Sequence, residues 1–147
     1  MPSVADLSTI ELPSLPPALA VGWLGETEDY PQGPIDRRVF DALFALCVEA
    51  WQPWTTAGFH RCTLCQITGG PSAVSHEGRL VGIGTTNVFV PFEETLYVAP
   101  SHVLHYIDAH RYRPPDVFLE AVVACPPMRS MDYWRALRRA GVIVRRP

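Results

Sequence analysis

The sequence predicts an α+β fold in a single small domain, with about four helices around a small antiparallel β-sheet. Three observations indicate this class. Four segments carry apolar residues at helical spacing, and prolines or glycines bound each of them. A run of alternating apolar residues lies between the first and second of these segments. The length of 147 residues is typical of one domain.

The first part of the chain divides into an arm and a helix. Residues 1–20 are rich in Pro and Ser and have no periodicity, so we expect an extended N-terminal arm followed by a single domain over residues 21–147. A short strand is expected within residues 18–24. From Ile35 the apolar residues recur every three or four positions, with Pro34 suited to the first helical position. We expect this helix to continue until Pro53.

The rest of the chain predicts strands first and helices afterwards. Val88, Val90, Leu96 and Val98 alternate with other residues, as strands of an antiparallel sheet do. Prolines divide the remaining chain into three helices, of which the last has Ser130 as a good N-cap. The expected strands are 79–84, 86–92 and 95–98, and the expected helices begin near Pro100, Pro115 and Met131.

Composition excludes several classes of protein. Neither end has an apolar run long enough to cross a membrane, and residues 1–20 lack the Lys or Arg of a signal peptide. We therefore expect a cytoplasmic protein with no membrane partner. Arg residues cluster near the C-terminus, but the net charge is −3, so we do not expect nucleic-acid binding.

Cysteine and histidine spacing indicates a metal site. Cys62 and Cys65 form a Cys-x2-Cys pair between glycine turns, and His105 and His110 follow in a predicted helix. Structural zinc takes four Cys or His ligands, often two from such a knuckle and two from a helix. We predict a zinc-knuckle hairpin with Zn²⁺ as the cofactor, although spacing alone leaves iron open.

The histidine pair is the less certain half of this set. Five residues of a regular helix separate two rings by about 140°, so the helix must tighten or unwind near His110 for both to bind. His102 shares a helix face with His105 and competes on geometry. His60 lies two residues before Cys62 and is an alternative fourth ligand or a hydrogen-bonding partner of a ligand.

Several functions are compatible with such a set. A closed site with four protein ligands predicts a structural zinc in a module that binds a protein partner of unknown identity. A hydrolase-type enzyme would need an open metal position and a base such as Glu93, Glu94 or Asp108. A redox dithiol, a cysteine nucleophile with His60 or His105 as base, and simply packed thiols are further alternatives. The binding module is preferred over an enzyme.

The same residues carry a resemblance. The segments 58–65, 97–100 and 105–118 resemble a family of uncharacterised bacterial proteins with the pattern Gly-x-His-x-Cys-x-x-Cys followed by His-Tyr-Ile-x-x-His-x-Tyr-x-Pro-Pro. The resemblance covers about residues 21–123, including Gly22-Trp23-Leu24. It favours His60, His105 and His110 over His102, and it implies no known activity or substrate.

Overall fold

A four-stranded mixed sheet organises the chain, and a separate two-stranded hairpin lies beside it. The computed structural model describes residues 3–25, 29–53, 61–65 and 68–143. In chain order the described elements are β1 (Thr9–Ile10), β2 (Ala18–Ala20), α1 (Arg37–Cys47), β3 (Ala73–His76), β4 (Arg79–Gly82), β5 (Asn87–Phe92), β6 (Thr95–Pro100), α2 (Val103–His110), α3 (Asp116–Ala124) and α4 (Met131–Arg139). This is the α+β class that the sequence predicts.

The strand order of the larger sheet is β1-β2-β6-β5. Strands β5 and β6 form an antiparallel hairpin in which Val88 lies opposite Ala99. Strand β2, by contrast, runs parallel to β6, with Leu19 opposite Tyr97. The predicted antiparallel pairing is confirmed for β5 with β6, and the short strand expected within residues 18–24 adds to this sheet in parallel, since a long crossover that includes α1 connects β2 to β6. Residues 18–20 are therefore part of the sheet.

The two faces of the sheet pack against different helices. Along β6, Tyr97 and Ala99 face a cluster that includes Phe44 of α1 and Leu104 of α2. Leu96 and Val98 face the other side, where Tyr133 and Leu137 of α4 lie. Both faces are covered, so β5 and β6 consist mainly of buried residues.

The hairpin of β3 and β4 turns through two residues. Glu77 and Gly78 both have positive φ, at 50° and 79°. This combination is typical of a two-residue turn whose twist matches that of the flanking strands. The sequence predicts β4 but misses β3, because Val74 is the only large aliphatic residue among its four.

Capping residues decide where two of the helices begin. Asp36 is the N-cap of α1, and its carboxylate accepts a hydrogen bond from the N–H of Arg38 at 2.8 Å. The prediction that α1 begins at Pro34 and continues to Pro53 is therefore wrong, since the helix spans Arg37–Cys47. Ser130 caps α4 by accepting a hydrogen bond from the N–H of Tyr133, as predicted.

Within the described ranges, none of the helices combines the length and the apolar character that crossing a membrane requires.

Candidate metal centre

Two cysteines and two histidines come together at the C-terminal end of α2. Donor atoms of Cys62, Cys65, His105 and His110 all lie within 4.8 Å of one another. The Sγ of Cys65 is 3.3 Å from Nε2 of His105 and 3.4 Å from Nε2 of His110. The Sγ of Cys62 is 3.5 Å from the same nitrogen of His110. The structure thus assembles one compact group of two sulfur and two nitrogen donors.

The cysteine knuckle is closed by backbone hydrogen bonds. The N–H of Cys62 donates to the carbonyl of Gly69 at 2.8 Å, and the N–H of Gly69 donates to the carbonyl of Cys65 at 3.1 Å. Backbone N–H groups of Leu64 and Cys65 donate to the Cys62 sulfur. These contacts hold the knuckle closed and orient the sulfur of Cys62.

Gly70 follows the knuckle and lies directly against the cluster. Its φ of +83° is a conformation that residues with a Cβ rarely adopt. A Cβ at this position would lie 2.8 Å from the Cβ of Cys62 and 3.6 Å from the Sγ of Cys65. The absence of a side chain at Gly70 therefore allows the chain to pass beside the two sulfurs.

The last turn of α2 is wider than a regular α-helix. The N–H groups of Arg111 and Tyr112 both donate to the carbonyl of Tyr106, five and six residues earlier. Arg111 has a left-handed φ of 56°, which ends the helix immediately after His110. Turns of this kind, with a left-handed residue, commonly end α-helices. The unwinding brings the rings of His105 and His110 to a centroid distance of 5.0 Å.

A distant loop holds this widened turn in place. Tyr30 donates a hydrogen bond from its hydroxyl to the carbonyl of His110 at 3.0 Å. The N–H of Gly33 donates to the carbonyl of Arg111, and the N–H of Arg113 donates to the carbonyl of Pro31. The backbone that carries His110 is thus fixed by residues about eighty positions earlier in the chain.

Burial controls the protonation of the cluster. Cys62 is 1% exposed, and this burial raises the pKa of its thiol, while the N–H groups of Cys65 and Leu64 act in the opposite direction. Burial also lowers the pKa of His105, as does the charge of His110, against a smaller opposing effect of Asp108. His105 therefore favours the neutral form that binds metals.

Tyr106 lies between the histidines in sequence and close to the sulfurs in space. Burial raises the pKa of Tyr106 to about 12, and the charges of Cys62 and Cys65 add to the effect. Its ring also lies 6.1 Å from that of His105 and 6.4 Å from that of His110, measured between centroids. The tyrosine therefore forms an uncharged wall of the site.

The remaining predicted candidates lie elsewhere. His102 is buried at the N-cap of α2 and is outside the cluster. Asp108 is exposed and makes no hydrogen bond to a histidine ring among the described residues. Glu93 and Glu94 lie in the turn between β5 and β6 and do not join the donor group. His60, the alternative fourth ligand, lies outside the described residues.

Sequence reasoning missed two contributors to the site. The composition of Gly69-Gly70-Pro71 predicts a turn, although a glycine next to a cysteine knuckle is also a signal for close backbone approach. No local signal identifies Tyr30, because its contact with His110 spans eighty residues.

The fold and the site together define a small α+β domain with a Cys2His2 donor cluster. The chain belongs to the family described as Domain of unknown function (DUF7919), whose model matches residues 2–123. The match includes all four donor residues and ends within α3. No curated protein and no solved structure matches the chain.

Proposed function

We propose that Cys62, Cys65, His105 and His110 bind a structural Zn²⁺ that clamps the cysteine knuckle onto α2. The sulfur–nitrogen distances of 3.3–3.5 Å carry this proposal. With Zn–S and Zn–N bonds of about 2.3 and 2.05 Å, a tetrahedral ion separates its sulfur and nitrogen ligands by about 3.6 Å. The donor atoms therefore need only a small adjustment to surround one ion.

The donor set supports zinc over other ions. Two thiolates and two neutral imidazoles in a tetrahedron are typical of Zn²⁺, whereas calcium and magnesium prefer oxygen. The lowered pKa of His105 favours its metal-binding form. Iron also accepts sulfur ligands, so the identity of the ion is the first quantity to measure.

A structural role follows from the number of protein ligands. Four side chains fill a tetrahedral coordination sphere and leave no position for a water molecule that could attack a substrate. Cys62 and His105 are 1% and 6% exposed, so a substrate would have little access to the ion. We therefore prefer a binding module over a hydrolase or a redox dithiol.

In this proposal the ion supports a surface for a protein partner. It joins the knuckle to a helix end whose backbone also contacts the loop at residues 30–34. Four free cysteines are compatible with a reducing cytoplasm, where thiolate ligands stay available. The identity of the partner does not follow from these residues.

Cobalt substitution tests the donor set directly. Co²⁺ in a site with two thiolates and two imidazoles should give intense sulfur-to-metal charge-transfer bands and the visible bands of tetrahedral geometry. X-ray absorption of the zinc form should show two sulfur and two nitrogen neighbours. A coordinated water in place of one residue would favour the hydrolase, and reversible oxidation of both thiols without bound metal would favour the dithiol.

A matched pair of cysteine variants locates the site. Cys65→Ser should lose tight zinc binding and lower the melting temperature. Cys125→Ser changes a free thiol outside the donor cluster and should keep one tightly bound zinc per chain. If Cys65→Ser retained full metal occupancy and the same absorption spectrum, Cys65 would not be a ligand.

A further inference from the structure

A second group of metal-binding side chains lies where the β3–β4 hairpin meets α1. Ligand atoms of Asp41, His76 and Glu77 lie within 4.8 Å of one another. Asp41 belongs to α1, His76 is the last residue of β3, and Glu77 begins the turn that follows. The group shares no residue with the Cys2His2 cluster.

The imidazole of His76 is held in one orientation. Its ring makes an edge contact with Phe40 at a centroid distance of 4.9 Å, and Phe44 lies at 5.3 Å on a tilted plane. Its Nε2 is 2.6 Å from Oδ1 of Asp41. The side chain of His76 is 19% exposed, so this nitrogen lies at the edge of the core with access to solvent.

The second carboxylate is placed by the hairpin turn. Glu77 adopts a φ of 50° next to Gly78, which fixes the direction in which its side chain leaves the backbone. In the structure Oε1 of Glu77 accepts a hydrogen bond from Arg37 at 2.8 Å. Both side chains are mostly exposed, at 51% and 75%, so this ion pair contributes little to stability.

We propose that Asp41, His76 and Glu77 form a second site for a divalent transition-metal ion, with Zn²⁺ as the ion to test. One imidazole and two carboxylates are ligands that Zn²⁺ and its neighbours accept, and the remaining positions would be open to water. A metal ion on Nε2 of His76 would replace the present hydrogen bond between His76 and Asp41. This site is independent of the Cys2His2 centre.

Arg37 acts as a competitor for this site. Its guanidinium forms an ion pair with Glu77 and repels any cation that approaches the carboxylates of Asp41 and Glu77. A metal ion must displace Arg37 from Glu77 before all three ligands can bind. Removing the positive charge of Arg37 should therefore tighten metal binding, by about fivefold for a screened repulsion over a few ångströms.

The test is a titration with Zn²⁺ of protein whose Cys2His2 site already holds one Zn²⁺ ion per chain. Calorimetry should detect the weaker binding of a second Zn²⁺ ion per chain, which we call the second equivalent. NMR should show the imidazole resonances of His76 shifting as this second ion binds. Asp41→Asn keeps a hydrogen-bond acceptor for His76 but removes one anionic ligand, so it should weaken the second equivalent about tenfold or more. Arg37→Gln should strengthen it.

A control variant and a background variant make the result decisive. Glu93→Gln changes an exposed carboxylate with a similar φ of 53° in the other hairpin turn, and it should leave the second equivalent unchanged. The second equivalent should also persist in Cys65→Ser, which separates it from the first site. Absence of a second equivalent, insensitivity to Asp41→Asn, or weaker binding in Arg37→Gln would each overturn the proposal.

Discussion

Gly70 approaches Cys62 so closely that a Cβ added to Gly70 would lie 2.8 Å from the Cβ of Cys62. Real Cβ atoms do not come this near to another carbon, and neither atom is at the end of a flexible side chain. The segment that follows the knuckle therefore passes the donor cluster only because residue 70 has no side chain.

We predict that Gly70→Ala both destabilises the domain and weakens metal binding. The left-handed φ costs about 1–3 kcal/mol in a residue with a Cβ, and the contact displaces Cys62 in addition. Chelator competition should show a metal affinity at least about tenfold lower, which corresponds to roughly 1.4 kcal/mol.

Gly78→Ala is the matched control for Gly70→Ala. Gly78 has a similar φ of +79° but has nothing within 4 Å of an added Cβ. It should incur the backbone cost alone and leave the Zn²⁺ affinity of the Cys2His2 cluster unchanged. Equal effects of the two substitutions on metal affinity would mean that the contact between Gly70 and Cys62 is unimportant.

We predict that Tyr30→Phe weakens metal binding without disrupting the fold. The change removes the hydroxyl that donates to the carbonyl of His110 and keeps the ring, which contacts Tyr112 at a centroid distance of 6.2 Å. The lost hydrogen bond is worth about 0.5–1.5 kcal/mol, so metal affinity should fall about twofold to tenfold. Isothermal titration with Zn²⁺ measures the change.

Tyr133→Phe provides the comparison for Tyr30→Phe. It removes a tyrosine hydrogen bond elsewhere in the fold, from the buried hydroxyl of Tyr133 to the carbonyl of Phe89 at 2.8 Å. This bond joins α4 to β5 and does not involve the donor cluster. Stability should fall while metal affinity stays the same, and a loss of affinity in both variants would point to a general loosening of the fold.

The sequence predicts the donor group better than the backbone that positions it. Spacing points to Cys62, Cys65, His105 and His110, which the structure brings together, but by itself it leaves His102 and His60 open. Spacing cannot predict the widened end of α2, because that turn is fixed by Tyr30 and neighbouring residues far away in the chain.

Other differences between prediction and structure have the same origin. Periodicity extends the first helix to Pro53, whereas the C-cap at Val48 ends it earlier. The parallel pairing of β2 with β6 joins residues almost eighty positions apart, and no local sequence pattern indicates such a pairing. The group of Asp41, His76 and Glu77 also escapes sequence reasoning, since thirty-five residues separate its first two members.

We predict that the metal-free protein loses stability as the pH falls through the range near 6.5. The folded pKa of His105 is lower than its ordinary value of 6.5, so below that value the unfolded chain binds a proton that the folded chain does not. This contribution is fully present above 6.5 and is lost as the pH decreases. Urea denaturation of wild type and His105→Gln in the presence of a chelator isolates it.

The difference between the two curves is the quantity that tests the role of His105. The free energy of unfolding should decrease more steeply with falling pH in wild type than in His105→Gln. Parallel curves would show that the protonation of His105 is not linked to folding.

We predict a separate loss of stability in alkaline solution, caused by Cys47. Burial raises the pKa of this thiol from 9.0 to about 12, so above pH 9 the unfolded chain releases a proton that the folded chain retains. Stability is therefore present below 9.0 and lost as the pH rises, by about 1.4 kcal/mol for each further pH unit. Cys47→Ala should reduce this slope, measured by denaturation between pH 8 and about 10.

The last prediction concerns the contact between the N-terminal segment and the end of α2. The hydroxyl of Tyr112 donates to Oδ2 of Asp6 at 2.7 Å, while the N–H of Gly22 donates to Oδ1 of the same carboxylate. Tyr112 is fully buried, and a hydrogen bond to a charged acceptor is worth about 1.5–3 kcal/mol. Tyr112→Phe should therefore lower the free energy of unfolding by about this amount.

Comparing Asp6→Asn with Asp6→Ala separates the effect of the negative charge on stability from the effect of having a hydrogen-bond acceptor at all. An amide oxygen still accepts one hydrogen bond, so its loss of stability should be smaller than that of Asp6→Ala, which leaves both Tyr112 and Gly22 without their acceptor. The N–H of Tyr112 helps to close the widened turn of α2, so hydrogen exchange at the amides of residues 110–112 should accelerate in Asp6→Ala. Unchanged exchange at these amides, together with an unchanged free energy of unfolding, would show that the carboxylate does not connect the two segments.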